Sequence, residues 1–213
     1  MWSILTTTKR DKKMKTKTAA LAALLCIGTL GNAHAQSAGD FLIGGGWQDN
    51  GGASAAAVQL TYFATDHIAG EVSIATPSNV AYTGGSGLLS GQDVGTGKLL
   101  TSSVSAKFFF GNADWPVRPF VGIGMTINTP TSTHYAGGLG SSTASVKTGV
   151  GPLFSVGANW NATAHLFATA SIAYSPRPTM GSINTPTTTE TKTTFIKLRQ
   201  SDYLAYVGIG YRF

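Results

Sequence analysis

Four charged residues, Glu71, Lys107, Arg118 and Arg212, each stand in a stretch where apolar residues alternate with small or polar ones. In each stretch the charge shares parity with Gly, Ser or Thr, and the Val, Ile, Phe and Tyr side chains take the other parity. Alternate residues of an extended chain face opposite sides, so one carboxylate and three cations are sent to a single small-residue surface. The chemistry open to them is ion pairing in a confined space, because buried charges must find partners. They are expected to form a charged plug, which either only satisfies its own charges or also gates a lumen.

Other reactive groups are sparse. Hydrolysis by a serine nucleophile needs a neighbouring His and a carboxylate, and after residue 35 the histidines are His67 in a tight turn, His134 in a loop and His165 at a turn edge. Only His134 lies near loop serines, and no carboxylate accompanies it. Metal binding needs clustered His, Cys or carboxylates, and none is clustered. Gly122-x-Gly124 and Gly208-x-Gly210 sit inside extended segments with no helix after them, so they are not nucleotide-binding turns. Asn161-Ala162-Thr163 matches a glycosylation sequon but falls in a tight turn. No enzymatic activity, cofactor or metal is expected.

The small-residue parity also carries Gly122, Gly124, Thr126, Leu153, Gly157, Phe167 and Ala173. Small inward side chains leave volume for a ligand passage; alternatively, the glycines ease strand curvature and close approach. Pro77, Pro130, Pro152 and Pro176 fall at the expected outer ends of four strands, where a proline removes one ladder donor. They either open the wall sideways or simply terminate the strands. Six basic residues, Lys98, Lys147, Arg177, Lys192, Lys197 and Arg199, map to loops or outer strand ends, suited to lipopolysaccharide phosphates or to an ordinary solvated surface.

The elements that must position these residues are eight period-2 segments, at roughly 39–47, 55–63, 68–76, 100–110, 117–128, 150–160, 165–175 and 201–213. Each is close to the ~9–11 residues that a tilted membrane strand needs. Connections at 64–67, 111–116 and 161–164 are tight, whereas those at 77–99, 129–149 and 176–200 are long, and only the first outer connection, 48–54, is short. Short turns at one end and long loops at the other characterise an outer-membrane β-barrel. The last segment sorts Tyr203, Ala205, Val207, Ile209, Tyr211 and Phe213 to one face, which suits lipid. Tyr62, Phe110, Trp160, Tyr174, Tyr203, Tyr211 and Phe213 cluster near segment ends, where interfacial girdles form.

Composition agrees. Of 213 residues, 15 are Lys or Arg and nine are Asp or Glu, yet six of the basic ones precede residue 18. From Gln36 onward nine basic residues meet eight acidic ones, too few for a water-facing domain surface and too balanced for a nucleic-acid binder. The basic start, the apolar run 18–30 and Ala33-His34-Ala35 form a secretory signal peptide over residues 1–35, with an A-x-A cleavage site and a start at Met1 or Met14. Cys26 has Leu25 before it, which argues against lipidation. The remainder, 36–213, has no cysteine and no run of ~20 apolar residues for a membrane helix. A soluble lipocalin-like barrel would invert the faces and show water a surface of Gly, Ser, Thr and Ala with few charges. The fold expected is therefore an all-β, eight-stranded antiparallel transmembrane barrel.

Leu60-Thr61-Tyr62-Phe63-Ala64-Thr65-Asp66-His67-Ile68, leading through Glu71 to Ala75-Thr76-Pro77, resembles the outer-membrane protein W family, which includes AlkL-type alkane-uptake proteins. So do Ala106 to Gly111 with Arg118-Pro119-Phe120-Val121-Gly122-Ile123-Gly124, and the terminal Val207-Gly208-Ile209-Gly210-Tyr211-Arg212-Phe213. The G-Y-R-F ending is common to many outer-membrane barrels; the A-T-D-x-I turn and the R-P-[YF]-V-G-x-G strand are more specific. The resemblance implies an eight-stranded barrel in the outer membrane of a Gram-negative cell. It also implies passage of small hydrophobic molecules through a narrow, largely apolar lumen with lateral release. Two departures stand out: a short first outer loop, and Ala173 where an aromatic could narrow the bore. Expected partners are outer-membrane lipid, lipopolysaccharide, small hydrophobic solutes and the barrel assembly machinery, which would read Val207, Ile209, Tyr211 and Phe213. The alternative is a non-transporting barrel that binds lipopolysaccharide, a host surface or phage.

Overall fold

The computed structural model describes residues 36–50, 53–84, 93–135, 143–176, 181–186, 191–198 and 201–213; the expected leader, 1–35, lies outside them. The described residues form strands and turns without a helix. The strands are β1 (Phe41–Asp49), β2 (Ser54–Phe63), β3 (Ile68–Ala75), β4 (Ser78–Gly84), β5 (Asp93–Phe109), β6 (Val117–Tyr135), β7 (Thr143–Val146), β8 (Gly149–Asn161), β9 (Leu166–Tyr174), β10 (Gly181–Pro186), β11 (Thr191–Leu198) and β12 (Tyr203–Arg212).

Eight of them close a barrel in the order β1-β2-β3-β5-β6-β8-β9-β12, with β12 returning to β1 and every pair antiparallel. Closure leaves no stave with an open edge along the barrel body, as a hydrocarbon surround demands. The register carries the expected parity around the wall: Ile43, Leu60, Val72, Val104 and Met125 are successive cross-strand partners, and all five face outward. Ile209 is 71% exposed and Ile123 61%, which makes this outer face costly in water at roughly 25 cal/mol per Å² of apolar area. Aromatic rings pair at both ends of it. Tyr174–Tyr203 lie 5.3 Å apart at one end, with Phe108–Phe110 at 5.2 Å and Tyr211–Phe213 at 5.0 Å at the other.

The tight turns hold themselves by local hydrogen bonds. In the 64–68 turn the Thr65 hydroxyl accepts from the His67 and Ile68 amides, and Ala64 N–H donates to the Ile68 carbonyl at 2.9 Å. Gly111 sits in the left-handed region (φ 76°), and a Cβ there would stand 2.3 Å from the Trp115 ring. Gly111→Val should therefore lose about 1–2 kcal/mol from backbone conformation, with the ring clash added. Urea unfolding from lipid vesicles checks this, with Gly70→Ala, where no atom lies within 4 Å of the added Cβ, expected to stay close to wild type.

The outer connections depart from expectation. β5 runs 17 residues and β6 19, well past the barrel body, and β4, β11, β10 and β7 continue the sheet from β5. These strands enclose a core of Val80, Tyr82, Val94, Leu99, Ile183 and Ile196, with Val146 against it. Short alternating runs such as Val80-Ala81-Tyr82 read as loop because Thr and Gly surround them, yet Thr fits a pleated surface well. Two prolines are displaced by this. Pro130 pairs with Leu99 inside β6, beside a register shift in β5 that accommodates it, so it does not end a strand. Pro152 lies inside β8, opposite Met125. Pro77 separates β3 from β4, both of which pair with β5, and Pro176 follows β9.

Candidate functional site

The lumen is layered. At the end with the tight turns, Leu42, Phe63, Ala69, Phe109, Phe120 and Phe167 form a buried cluster, with Phe63–Phe109 and Phe109–Phe120 centroids 4.9 and 5.2 Å apart. Arg118, fully buried, lies over Phe63 and Phe109 at 5.7 and 5.2 Å. Its guanidinium donates to the Gln36 carbonyl at 2.8 Å and to the Asp66 carbonyl. A cation against aromatic faces and carbonyls is satisfied by quadrupole and dipole rather than by full charge. Arg212 closes the adjacent sector, donating to the Ala164 carbonyl and lying 3.8 Å from the Asp40 carboxylate.

One layer further in, Lys107 Nζ meets Glu71 Oε2 at 2.5 Å, the Thr61 hydroxyl donates to the same oxygen at 3.0 Å, and the ammonium stands 4.2 Å from the Phe120 ring centroid. Lys107 and Glu71 meet diagonally across β3 and β5, where the direct partners are Ala69 for Lys107 and Ser105 for Glu71. So Glu71, Lys107, Arg118 and Arg212 all lie inside the tight-turn half. Glu71 and Lys107 pair with each other, Arg118 binds backbone, and Arg212 binds backbone and lies beside the Asp40 carboxylate.

Above this seal is a small cavity, partly open to solvent, in which the centre of a water-sized sphere has about 40 Å³ to occupy. Gln48, Gln59, Ser73, Ser103, Ser105 and Tyr206 contribute polar lining, and Leu153, Ala173 and Leu204 the apolar share. The three apolar members belong to β8, β9 and β12, which also contribute the Ser155, Ser171 and Tyr206 hydroxyls; the strands opposite contribute amides, hydroxyls and the ion pair. In place of the expected largely apolar lumen, the cavity is mainly polar, with its three apolar residues grouped on neighbouring strands. Of the residues expected to line a passage, Thr126, Leu153 and Ala173 do so, and Phe167 belongs to the aromatic seal. Gly122, Gly124 and Gly157 serve close packing. A Cβ on Gly124 would stand 2.1 Å from the Val104 carbonyl oxygen, and one on Gly157 2.7 Å from the Phe120 ring.

Among the described residues, the ladder between β8 and β9 is shorter than β8 itself. The β8–β9 ladder stops at Phe154–Tyr174, while β8 continues to Gly149 paired only with β6 among the described residues. Pro152 and Pro176 flank this seam. Val150, Pro152 and Phe154 point outward along it, and across its inner side the Thr126 and Ser175 hydroxyls meet at 2.7 Å.

Sequence reasoning missed the phenylalanine seal, although Phe108-Phe109-Phe110 breaks the alternation and so requires bulk on both faces. It also missed a repeated turn. Ala64-Thr65-Asp66-His67 and Ala162-Thr163-Ala164-His165 share the pattern A-T-x-H, and each presents its third carbonyl to an arginine and its His Nδ1 to a carbonyl on the next strand, at 3.1 Å. His67 stacks on Phe108 and His165 on Tyr211. His134 is exposed on β6 opposite Thr96. Among the basic residues expected outside, Lys98 and Lys147 are exposed, Lys192 and Lys197 fall in β11, and Arg177 and Arg199 lie outside the described residues. Val207, Ile209, Tyr211 and Phe213 share the outward face of the last strand, and Phe213 N–H donates to the Phe41 carbonyl at 2.9 Å.

Among solved structures the chain is similar to OprG of Pseudomonas aeruginosa (TM-score 0.67, 20% identity, covering 86% of this chain and 99% of that one). It is also similar to OmpW of E. coli (TM-score 0.55, 22% identity, 84% and 100% covered) and to AlkL (TM-score 0.50, 14% identity, 87% and 95% covered). Outer membrane protein W of Salmonella typhi is 38% identical over 71 residues, 33% of this chain, and that match spans 31% of the relative's length. The OmpW family model matches residues 27–213. With the lipid-facing register and the closed eight-stranded wall, the chain belongs to the OmpW family, an integral β-barrel of the outer membrane.

Proposed function

We propose that the barrel takes up small hydrophobic molecules passively and releases them sideways through the β8–β9 seam into the membrane. One observation carries this: the lumen is sealed below by the Phe63–Phe109–Phe120 cluster and the Glu71–Lys107 pair, while the ladder beside the cavity stops short. The apolar members of the cavity, Leu153, Ala173 and Leu204, are grouped on β8, β9 and β12 beside the seam, and a solute's apolar part would contact them there. A polar end would meet the hydroxyls and amides around the rest of the wall. An eight-stranded bore has room for one small ligand, which disfavours bulk diffusion of sugars. The same account takes Val207, Ile209, Tyr211 and Phe213 as the face read by the assembly machinery, and the outer lysines as lipopolysaccharide contacts.

The test is uptake of a short alkane against a hydrophilic sugar, in cells with and without the protein. The alkane should enter faster and the sugar unchanged; equal rates for both would overturn the proposal. Ala173→Trp fills the cavity beside the seam and should return alkane uptake to near the protein-free rate with the barrel still folded. Pro152→Val should slow it, and an unchanged rate would remove that proline from the exit. The six outer strand segments with their own core favour a second reading, an interaction barrel binding lipopolysaccharide, a host surface or phage. Unaltered alkane uptake together with lost lipopolysaccharide binding in Lys98→Gln/Lys147→Gln would select it.

A further inference from the structure

Gln36 occupies an unusual position for a glutamine. It is fully buried at the tight-turn end, and neither its Oε1 nor its Nε2 has a hydrogen-bond partner. Its main chain, in contrast, is held at both ends: Gln36 N–H donates to the Ala113 carbonyl at 3.2 Å, and its carbonyl accepts from Arg118 at 2.8 Å. A buried amide without partners is penalised, and a chain free to choose would turn it to water.

The residue's place in the sequence supplies a reason. Gln36 directly follows Ala33-His34-Ala35, the expected cleavage site, so cleavage there makes its nitrogen an α-amine. As an ammonium, that amine would be buried within one residue of the Arg118 guanidinium. Two like charges in a desolvated site disfavour each other. Of the nearby carboxylates, Asp40 accepts from the Ser37 amide and faces Arg212, Asp66 accepts from the Ala38 amide and already offsets the Arg118 charge, and Asp114 is exposed.

We propose that residues 1–35 are removed and that Gln36 is then converted to a pyroglutamyl residue, for which this pocket is the built site. The neutral α-amine nitrogen attacks the side-chain Cδ, the N–Cδ bond forms, one amine proton passes to Nε2, the Cδ–Nε2 bond breaks and ammonia leaves; no oxidant or co-reactant is required. The step takes place on the translocated chain before folding buries it. The product suits the pocket in three ways. The positive charge beside Arg118 is gone, the orphaned Nε2 has left, and the remaining lactam N–H is the single donor that Ala113 accepts. Arg118 keeps its bond to the Gln36 carbonyl, so the ring caps the aromatic seal.

The experiment is mass spectrometry of the N-terminal peptide of protein purified from outer membranes. Cells are lysed into cold neutral buffer containing an isotope-labelled synthetic peptide of residues 36–45, which reports cyclisation during handling. The expected peptide begins at residue 36, is lighter by one ammonia in most molecules, and resists stepwise Edman degradation until pyroglutamyl peptidase is added, while the labelled peptide stays open. A peptide beginning at Gln36 with a free amine, or cyclised no further than the labelled control, would overturn the modification but leave the cleavage standing. A different N-terminus would overturn both.

Discussion

Glu71→Ala is expected to lower unfolding stability by about 3 kcal/mol, at the low end of what breaking a buried ion pair costs. Lys107, 5% exposed, keeps its charge but loses the carboxylate 2.5 Å away, and the Thr61 hydroxyl loses its acceptor. The low end applies because the pair borders a cavity rather than solid core. The loss should appear as a lower urea midpoint for unfolding from lipid vesicles. Adding Lys107→Met should recover most of it, since an apolar side chain of similar length against Phe120 leaves no orphaned charge. If Glu71→Ala alone were neutral, the pair would not be the closure of the lumen floor, and the sealed-below route would lose its basis.

The second large effect is on the other parity. Ile123→Arg places a cation on the outward face near the middle of the β6 stave and should cost about 2–4 kcal/mol in a bilayer. Ser103→Arg, on the lumen face, should cost less because the guanidinium enters a cavity already lined by Glu71 and hydroxyls. A soluble barrel would give the reverse order. Folding yield into vesicles, measured for both variants against wild type, decides between them.

The staves were legible in the sequence because membrane and lumen impose a strict period of two, and a charge such as Glu71 or Arg212 fixes the phase of its strand by itself. The same logic placed Lys107 near Glu71, since adjacent antiparallel staves bring inward residues of equal height together. The outer sheet was not legible. Strands β4, β7, β10 and β11 are four to eight residues long, lie among Thr, Gly and Ser, and gain stability only from the shared core around Tyr82 and Ile196, a long-range property no local window contains. The lumen was half legible. Inward parity identified Thr126, Leu153 and Ala173 as lining residues, yet parity cannot say whether an inward glycine leaves space or is packed shut, and Gly124 and Gly157 are packed shut by backbone and by Phe120. Part of the cavity's polar lining arises where hydroxyls on β3 and β5 meet, as in the 2.7 Å Ser73–Ser103 contact, which depends on register rather than composition.

Hydrocarbon touches one face of each stave and the lumen the other. Residues 36–213 contain no cysteine, so single-cysteine spin labels can be placed without background at Ser103, Val104, Ser105, Ala106, Lys107 and Phe108 of β5 in bilayers. Oxygen, which concentrates in lipid, should relax the labels at 104, 106 and 108 strongly, and those at 103, 105 and 107 weakly. Strong relaxation by a water-soluble nickel reagent at 104, 106 and 108, or no alternation at all, would contradict the account.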